Sequence, residues 1–320
     1  LLDIGFEMEG IDDLEIDELI GAVIEKKRYY RLQDGGILSL ETDAFEKIQH
    51  MFKELDLSQG DVHQGRLTLP AYKGLTVDAV IQSKKHYDQS FQKLLKDMNA
   101  PEKQAYVLPD HLQGVLRDYQ KRGFQWFKTL SAYQFGGILA DDMGLGKTVQ
   151  SIAYILSEAR MSEQIHLVIA PSSVVYNWKN EFSKFAPGLE VTVMTGTKEE
   201  RLDKFKNEQH VDVWITSYGT LRQDIETYKH LTFQTMILDE AQYIKNYTTK
   251  TSAAVRTLKA GRKFALSGTP IENSIDELWA IFQVVLPGLL PSLKKFKKMP
   301  YEKIAQRTSP FILRRLKQDV

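Results

Sequence analysis

A glycine-bearing loop between an apolar run and a helical pattern is the feature that most constrains this chain. The apolar run, residues 137–140 (GILA), has the length of a buried parallel strand. In the loop that follows, Gly144 and Gly146 lack a Cβ atom, so the backbone can turn tightly and direct N–H groups at phosphate oxygens. A segment with helical periodicity begins at Lys147. Strand, loop and helix N-terminus together predict a phosphate-binding loop.

The residue types in this loop indicate a nucleoside triphosphate with its magnesium ion. Lys147 has the reach to contact the β- and γ-phosphates, and the hydroxyl of Thr148 is a suitable Mg²⁺ ligand. The strict pattern has a glycine where this chain carries Asp141, and the alternative interpretation is a glycine-rich turn without a ligand. The predicted nucleotide-binding residues of the loop are Gly144, Leu145, Gly146, Lys147, Thr148 and Val149.

Strand and helix patterns alternate after the loop, which predicts an α/β fold with a parallel sheet and helices on both faces. Functional groups in such sheets collect at the carboxyl ends of the strands. The predicted strands are 166–171, 190–195, 211–218, 233–240 and 262–268, with helices such as 174–185 and 199–208 between them.

Two carboxylates follow one of these strands. Asp239 and Glu240 come directly after the apolar run 236–238. A first carboxylate at a strand end can hold Mg²⁺, and a second can orient the attacking water. We therefore assign Asp239 to the metal and Glu240 to the water. A solvated strand end is the alternative.

Further polar residues are candidates for reading the nucleotide. The side-chain amide of Gln120 carries both a donor and an acceptor, which match the adenine edge. Ser267, Gly268 and Thr269 lie at the end of the next predicted strand, where the hydroxyls of Ser267 and Thr269 could sense the nucleotide and relay its state. A plain turn is the alternative for these three residues.

Hydroxyl-bearing segments at two other strand ends are candidates for nucleic-acid phosphates, which accept hydrogen bonds from hydroxyls and backbone N–H groups. Trp178 lies on the helix that follows the first segment, where it either stacks on a base or packs in the core. The predicted DNA-binding residues are Pro171, Ser172, Ser173, Thr216, Ser217 and Tyr218.

The bulk composition is that of an ordinary globular protein, with 42% hydrophobic and 26% charged residues and a formal net charge of zero. The absence of cysteine excludes disulfides and thiolate metal sites and suits a reducing compartment. No apolar run approaches the ~20 residues of a membrane helix, so no membrane association is expected. Residues 1–20 are acidic, whereas Lys294, Lys295, Lys297 and Lys298 form a basic cluster, either a solvated face or a phosphate contact.

Residues 1–105 carry no catalytic motif and predict a small α+β accessory domain. Apolar residues at helical spacing predict helices over 11–27, 42–55 and 84–98. A hairpin is predicted over 29–40, where Asp34-Gly35-Gly36 marks the turn.

The motifs together resemble the first motor lobe of helicase superfamily two proteins, and specifically that of the SWI/SNF-type DNA-dependent ATPases. The resemblance runs from about Leu112 to Val320. ADDMGLGKT and PFILRR are its most specific parts. The blocks that carry it are LRDYQ, LADDMGLGKT, APSSVVYNW, ITSYGTL, LDEAQYIKN, ALSGTPIEN and SPFILRRLKQDV.

This resemblance implies a RecA-like ATP-binding lobe over 106–292 and a basic connector over 293–320 toward a second RecA-like lobe. It implies ATP and Mg²⁺ as cofactors, with the residue roles given above, and duplex DNA as the track of a motor that remodels protein–DNA complexes. Two departures stand out: Asp118 replaces a proline, and Gln242 replaces a histidine. Hydrolysis is expected to survive both.

The family places its second lobe, with the arginines that complete the ATP site, after the last block, and this chain ends at Val320. Such arginines are worth about 10³–10⁵ in rate, so we expect this chain alone to bind ATP weakly and hydrolyse it slowly. A start at Leu1 indicates a piece of a longer protein, and the short spacer 270–310 favours a prokaryotic one. The expected location is cytoplasmic, or nuclear in a eukaryote.

Two other functions stay open at this point. One is a different superfamily-two helicase or a restriction-type translocase, acting on RNA or DNA. The other is a nucleotide-gated binding module in which residues 1–105 recruit a protein partner.

Overall fold

The computed structural model describes residues 1–82, 87–159, 164–207, 210–268 and 275–320. The chain divides into two compact units, Leu1–Lys96 and Asp97–Val320. The division falls slightly before the predicted boundary at residue 105. The intervening segment belongs to the second unit because the carbonyl of Pro101 accepts a hydrogen bond of 2.9 Å from Thr129. Within the described ranges, no helix is both long and apolar enough to cross a membrane.

The first unit is an α+β structure in which α1 and α2 begin at side-chain caps. Asp12 accepts a hydrogen bond from the backbone N–H of Glu15, and Thr42 accepts one from that of Phe45. Its elements are β1 (Leu2–Gly5), α1 (Asp13–Ile24), β2 (Tyr29–Arg31), β3 (Ile37–Ser39), α2 (Asp43–Leu55), β4 (Val62–His63), β5 (Arg66–Leu69), α3 (Gly74–Ile81) and α4 (Gln89–Asn99).

The predicted helices and hairpin of this unit are present as α1, α2, α4 and the β2–β3 pair. The prediction for α4 started at Lys84, and residues 84–86 lie outside the described ones. An antiparallel sheet, β1-β5-β4, was not predicted. Its pairing joins Leu2 to Leu69 across the whole unit, and no local pattern carries that information.

The second unit contains the alternating elements that the sequence predicts. They are α5 (Asp118–Ala132), β6 (Gly137–Leu139), α6 (Lys147–Ala159), β7 (His166–Ala170), α7 (Val175–Phe185), β8 (Val191–Val193), α8 (Lys198–Asn207), β9 (Val213–Ser217), α9 (Tyr218–Gln223), α10 (Ile225–Tyr228), β10 (Thr232–Leu238), α11 (Lys250–Thr257), β11 (Lys259–Leu266), α12 (Ile275–Val285), α13 (Leu293–Phe296), α14 (Tyr301–Thr308) and β12 (Ile312–Leu313).

A parallel sheet forms the centre of this unit, and the predicted α/β fold is confirmed. Among the described residues it has seven strands in the order β12-β6-β11-β10-β7-β9-β8. Because both faces of a parallel sheet are covered, strands inside it can be buried along their whole length; β7 and β9 are buried at every position.

The edge strand β12 lies in the segment 293–320 that the sequence predicts as a connector. Its two residues pair with the strand that precedes the glycine loop, Ile312 beside Ile138 and Leu313 beside Leu139. A two-residue strand is too short to show alternation, so the sequence pattern alone does not indicate it.

A buried histidine at the start of β7 makes the stability of this unit depend on pH. His166 is fully buried, and its ring nitrogens have no hydrogen-bond partner in the described part of the chain. Burial, and secondarily the charge of Arg262, lowers its pKa from 6.5 to about 4. Because the folded pKa lies below the unfolded one, the stabilisation is complete above pH 6.5 and is lost as the pH falls toward 4.

We expect the free energy of unfolding to fall by about 3 kcal/mol between these pH values through this residue. Urea denaturation of the wild type and of His166→Phe at several pH values measures it. In His166→Phe the free energy of unfolding should depend much less on pH than in the wild type. In His230→Phe, at an exposed position, it should keep the wild-type pH dependence. Equal slopes in wild type and His166→Phe would contradict the assignment.

Candidate active site

The segments that carry the predicted site residues follow the carboxyl ends of neighbouring strands. Leu238, the last residue of β10, is paired with Ile169 of β7 on one side and Ala265 of β11 on the other. Leu266 of β11 is paired with Leu139 of β6. The strands are parallel and their ends are in register, so the loops that follow β6, β7, β10 and β11 emerge side by side.

The glycine loop after β6 has the backbone conformation that its glycines permit. Gly144 and Gly146 have φ angles of +89° and +78°, in the region where a Cβ atom is disfavoured. A Cβ on Gly146 would lie 2.5 Å from Nε2 of Gln120. Substitution there would therefore both strain the loop and displace the glutamine.

Lys147 lies at the start of α6, and its amino group is held by the loop itself. Its Nζ donates to the carbonyl oxygens of Asp141 at 2.7 Å and Asp142 at 3.3 Å. Burial lowers its pKa, and nearby carboxylates, Asp141 first, oppose that shift. The amine is thus in a partly buried position that phosphate oxygens could share.

Gln120, the predicted adenine-reading residue, is brought to this loop. Its Oε1 accepts a hydrogen bond of 2.9 Å from the backbone N–H of Arg117, at the start of α5. Its Nε2 donates to the carbonyl of Leu145 at 3.2 Å. The side-chain amide therefore lies against the glycine loop, beside the residues predicted to bind phosphate.

Asp239 follows β10 with both carboxylate oxygens oriented. Oδ2 accepts a hydrogen bond of 2.8 Å from the indole N–H of Trp178, and Oδ1 accepts one of 3.0 Å from the backbone N–H of Glu240. Burial raises the pKa of Asp239, and the bond from Trp178 partly offsets the rise. Trp178 is only 1% exposed, so the core interpretation of this residue is confirmed.

Glu240 adopts a backbone conformation that is unusual for a residue with a side chain. Its φ angle is +49°, in the left-handed region. Its Oε2 accepts a hydrogen bond of 2.8 Å from Nε2 of Gln242, the residue that stands in place of the usual histidine. Such local strain is typical of functional sites. Here it coincides with an amide that fixes the direction of the carboxylate.

The side-chain oxygens of Asp239 and Thr148 fit a magnesium–triphosphate ligand. Mg²⁺ is commonly bound by one or two protein oxygens together with substrate phosphates. Asp239 supplies a mostly buried carboxylate whose raised pKa a nearby cation would lower again. Thr148, half-buried in the first turn of α6, supplies the hydroxyl.

Ser267 and Gly268, which the sequence predicts to relay the state of the nucleotide, lie beside the glycine loop and the strand before it. The backbone N–H of Ser267 donates to the carbonyl of Leu139 at 3.0 Å. A Cβ built on Gly268 would lie 3.7 Å from Nζ of Lys147 and 2.8 Å from Cγ of Met143. Gly268 is therefore in close contact with the glycine loop. Thr269 lies outside the described residues.

The two predicted DNA-binding segments differ in exposure. Pro171 is buried, but Ser172 and Ser173 are exposed on a 3₁₀ turn after β7. Thr216, Ser217 and Tyr218 are buried. A contact between these three side chains and nucleic acid stays a prediction.

Two of the buried side chains at the end of β9 have structural partners. Ser217 caps α9 by accepting a hydrogen bond of 3.0 Å from the backbone N–H of Thr220. The hydroxyl of Tyr218 donates to the carbonyl of Asp239 at 2.7 Å, and its ring stacks on that of Tyr243. The segment after β9 is thereby tied to the metal-ligand candidate.

Sequence reasoning missed the partners of Asp141. Its side chain is fully buried and forms an ion pair with Arg315, which follows β12. Gln150 of α6 also donates to it, at 3.2 Å. The absence of the expected glycine at position 141 was the only signal in the sequence that this position is unusual.

Comparison with known proteins identifies the relatives of both units. Residues 119–320 match the family described as SNF2-related domain, and residues 1–109 match the one described as bacterial SNF2 helicase associated. The putative ATP-dependent helicase/translocase YwqA of Bacillus subtilis (strain 168) is 42% identical over 251 residues, 72% of this chain and 27% of that protein. The human SWI/SNF-related matrix-associated actin-dependent regulator of chromatin subfamily A member 1 is 36% identical, over 67% of this chain and 22% of that protein.

A solved structure is similar as well. The Sulfolobus solfataricus SWI2/SNF2 ATPase core in complex with dsDNA aligns with a TM-score of 0.58 at 40% identity, covering 67% of this chain and 45% of that chain. The RecA-like α/β expectation is thereby confirmed. The chain spans about a quarter of the length of the two curated relatives above.

Proposed function

The chain belongs to the SNF2-related family, and from that membership we propose that it is the ATP-binding lobe of a DNA-dependent ATPase. The proposal includes coupling of hydrolysis to movement along duplex DNA and to remodelling of protein–DNA complexes. One observation carries it: Gln120, Lys147, Asp239 and Glu240 lie on segments that meet at one edge of the sheet.

Each of these residues has a defined part in the proposed reaction. Gln120 reads the adenine edge, and Lys147 exchanges its loop carbonyls for phosphate oxygens. Asp239 and Thr148 would hold Mg²⁺, which when bound supplies charge stabilisation at the phosphates. Glu240, directed by Gln242, accepts a hydrogen bond from the attacking water and orients it toward the terminal phosphorus.

Duplex DNA is the proposed track. The exposed hydroxyls of Ser172 and Ser173 suit phosphate contacts. The helix that follows them contains Trp178, which is bonded to Asp239. The dsDNA in the Sulfolobus neighbour supports the same partner. Such a motor acts where its DNA is, in the cytoplasm of a prokaryote or the nucleus of a eukaryote.

Two other partners belong to the proposal. A second RecA-like lobe completes the ATP site, and a protein partner binds residues 1–105, whose match to a helicase-associated family supports a role beside the motor.

ATP turnover with and without nucleic acid tests the function. We expect duplex DNA to raise the turnover of the chain joined to a second RecA-like lobe at least about tenfold, because closure of two lobes on the track brings arginines to the ATP site. Without that lobe, turnover should stay low. Stimulation by RNA and not by duplex DNA would instead favour an RNA helicase. Turnover that no nucleic acid changes would contradict the motor.

A further inference from the structure

A buried negative charge lies inside the glycine loop. The side chain of Asp141 is 0% exposed, and among the carboxylates that act on Lys147 it has the largest effect on the lysine pKa. An unbalanced carboxylate at this position would repel a triphosphate bound to the same loop. A buried carboxylate is also costly unless it is paired and hydrogen-bonded.

Arg315 supplies the balancing charge. Its Nε donates to Oδ1 of Asp141 at 2.9 Å, and its Nη2 donates to Oδ2, which makes the contact bidentate. Nη2 also donates to Oε1 of Gln150 at 2.7 Å, and Nη1 donates to the carbonyl of Tyr119. The guanidinium thus donates four hydrogen bonds, to the glycine loop, α6 and the start of α5.

The backbone around Arg315 is fixed to the same loop. The N–H of Asp142 donates to the carbonyl of Arg315 at 3.0 Å, and the N–H of Lys317 donates to Oδ2 of Asp142 at 3.1 Å. On the opposite side, Gly123 leaves the space that the network occupies. A Cβ there would lie 1.8 Å from Oε1 of Gln150 and 3.1 Å from Nη2 of Arg315.

We infer that Arg315 is an electrostatic positioning residue of the nucleotide site, which neutralises Asp141 and so sets the affinity of the loop for polyphosphates. This inference rests on the proposed function, because it takes the glycine loop to be the phosphate site. Arg315 acts through Asp141. Its effect should therefore grow with the number of phosphates on the ligand.

Two variants with opposite expected signs test the charge balance. Arg315→Gln leaves the carboxylate unbalanced and should weaken ATP binding by about tenfold or more, with little change for adenosine. Asp141→Asn leaves the guanidinium unbalanced and should raise the ratio of ATP to adenosine affinity. The double variant Asp141→Asn/Arg315→Gln should return that ratio to the wild-type value. Calorimetric titration of each protein with adenosine, AMP, ADP and ATP in Mg²⁺ gives the numbers.

Arg315→Lys separates charge from packing. Lysine keeps the charge but cannot reproduce the bidentate contact, so the thermal unfolding temperature should fall while the ratio of ATP to adenosine affinity is retained. Arg122→Gln, at an exposed position of α5, is the matched control and should change neither quantity.

The outcomes distinguish the inference from the proposed function. If the wild type binds neither adenosine nor ATP, the proposed function fails. If the wild type binds ATP, two results would overturn the role of Arg315: equal losses for ATP and adenosine in Arg315→Gln, or a fall in their ratio in Asp141→Asn. If Arg315→Gln does not fold, the direction in which Asp141→Asn changes the ratio of ATP to adenosine affinity decides the role of Arg315.

Discussion

Replacing Glu240 with glutamine is expected to reduce ATP turnover by about 10²–10⁴-fold, the contribution of a positioned group that accepts a proton or orients water. The substitution is nearly isosteric but removes the charge that, in the proposed function, would hold the attacking water. Nucleotide affinity should stay near that of the wild type, because Lys147 and Gln120 remain in place. The hydrogen bond that Oε2 accepts from Gln242 would have to reorganise, since the new amide can present a donor there instead.

The measurement is steady-state phosphate release by the chain joined to a second RecA-like lobe, with saturating ATP and duplex DNA, beside a binding titration of the same protein. Glu226→Gln is the matched control, since Glu226 is an exposed carboxylate that pairs with Lys229 on the surface. A Glu240→Gln protein that hydrolyses ATP at the wild-type rate would remove Glu240 from the proposed role and leave the attacking water without its predicted partner.

The chemistry-bearing residues of this site could be predicted because each lies in a local pattern. Lys147 follows a strand and a glycine loop, and Asp239 follows an apolar run. Parallel strands end at a common edge, so the sequence order of these patterns already predicts that they meet. The register of β6, β7, β10 and β11 confirms that step.

The contacts that tune these residues could not be predicted, because they join positions far apart in the chain. Asp141 and Arg315 are 174 residues apart, and Trp178 and Asp239 are 61 apart. Nothing in the local sequence of β12 indicates that it pairs with β6. The position of Arg315 follows from the pairing of β12 with β6. A departure from a motif, as at Asp141, shows where a distant partner is needed and not which residue supplies it.

The exposure of the predicted DNA-binding residues shows a related limit. Hydroxyl side chains at strand ends serve equally as nucleic-acid contacts and as local caps. Ser217 caps α9, whereas Ser172 and Ser173 are exposed, although all three lie at the carboxyl ends of apolar strands. The difference depends on how the chain turns after each strand, which the strand pattern does not contain.

Replacing Lys147 with alanine is expected to weaken ATP binding by about 10- to 150-fold for each charge-assisted phosphate bond lost, since such a bond contributes about 1.5–3 kcal/mol. The fold of the free protein should be little affected. Among the described residues the amine bonds to the loop carbonyls of Asp141 and Asp142, and both can turn to water once the side chain is removed. Burial already lowers the pKa of this amine, so its full positive charge is favoured when phosphate replaces those carbonyls.

Titration with ATP and with adenosine checks this expectation for Lys147, with Lys206→Ala on the exposed face of α8 as the control. The loss should be confined to the phosphorylated ligand, because Gln120 bonds to the loop through Leu145 and not through Lys147. Turnover should fall further than affinity does, since in the proposed reaction the same ammonium group would also face the charge that develops on the transferred phosphoryl group. An unchanged ATP titration in Lys147→Ala would mean that the glycine loop is a turn without a phosphate ligand. Asp239 and Glu240 would then be the ends of a strand with no nucleotide beside them.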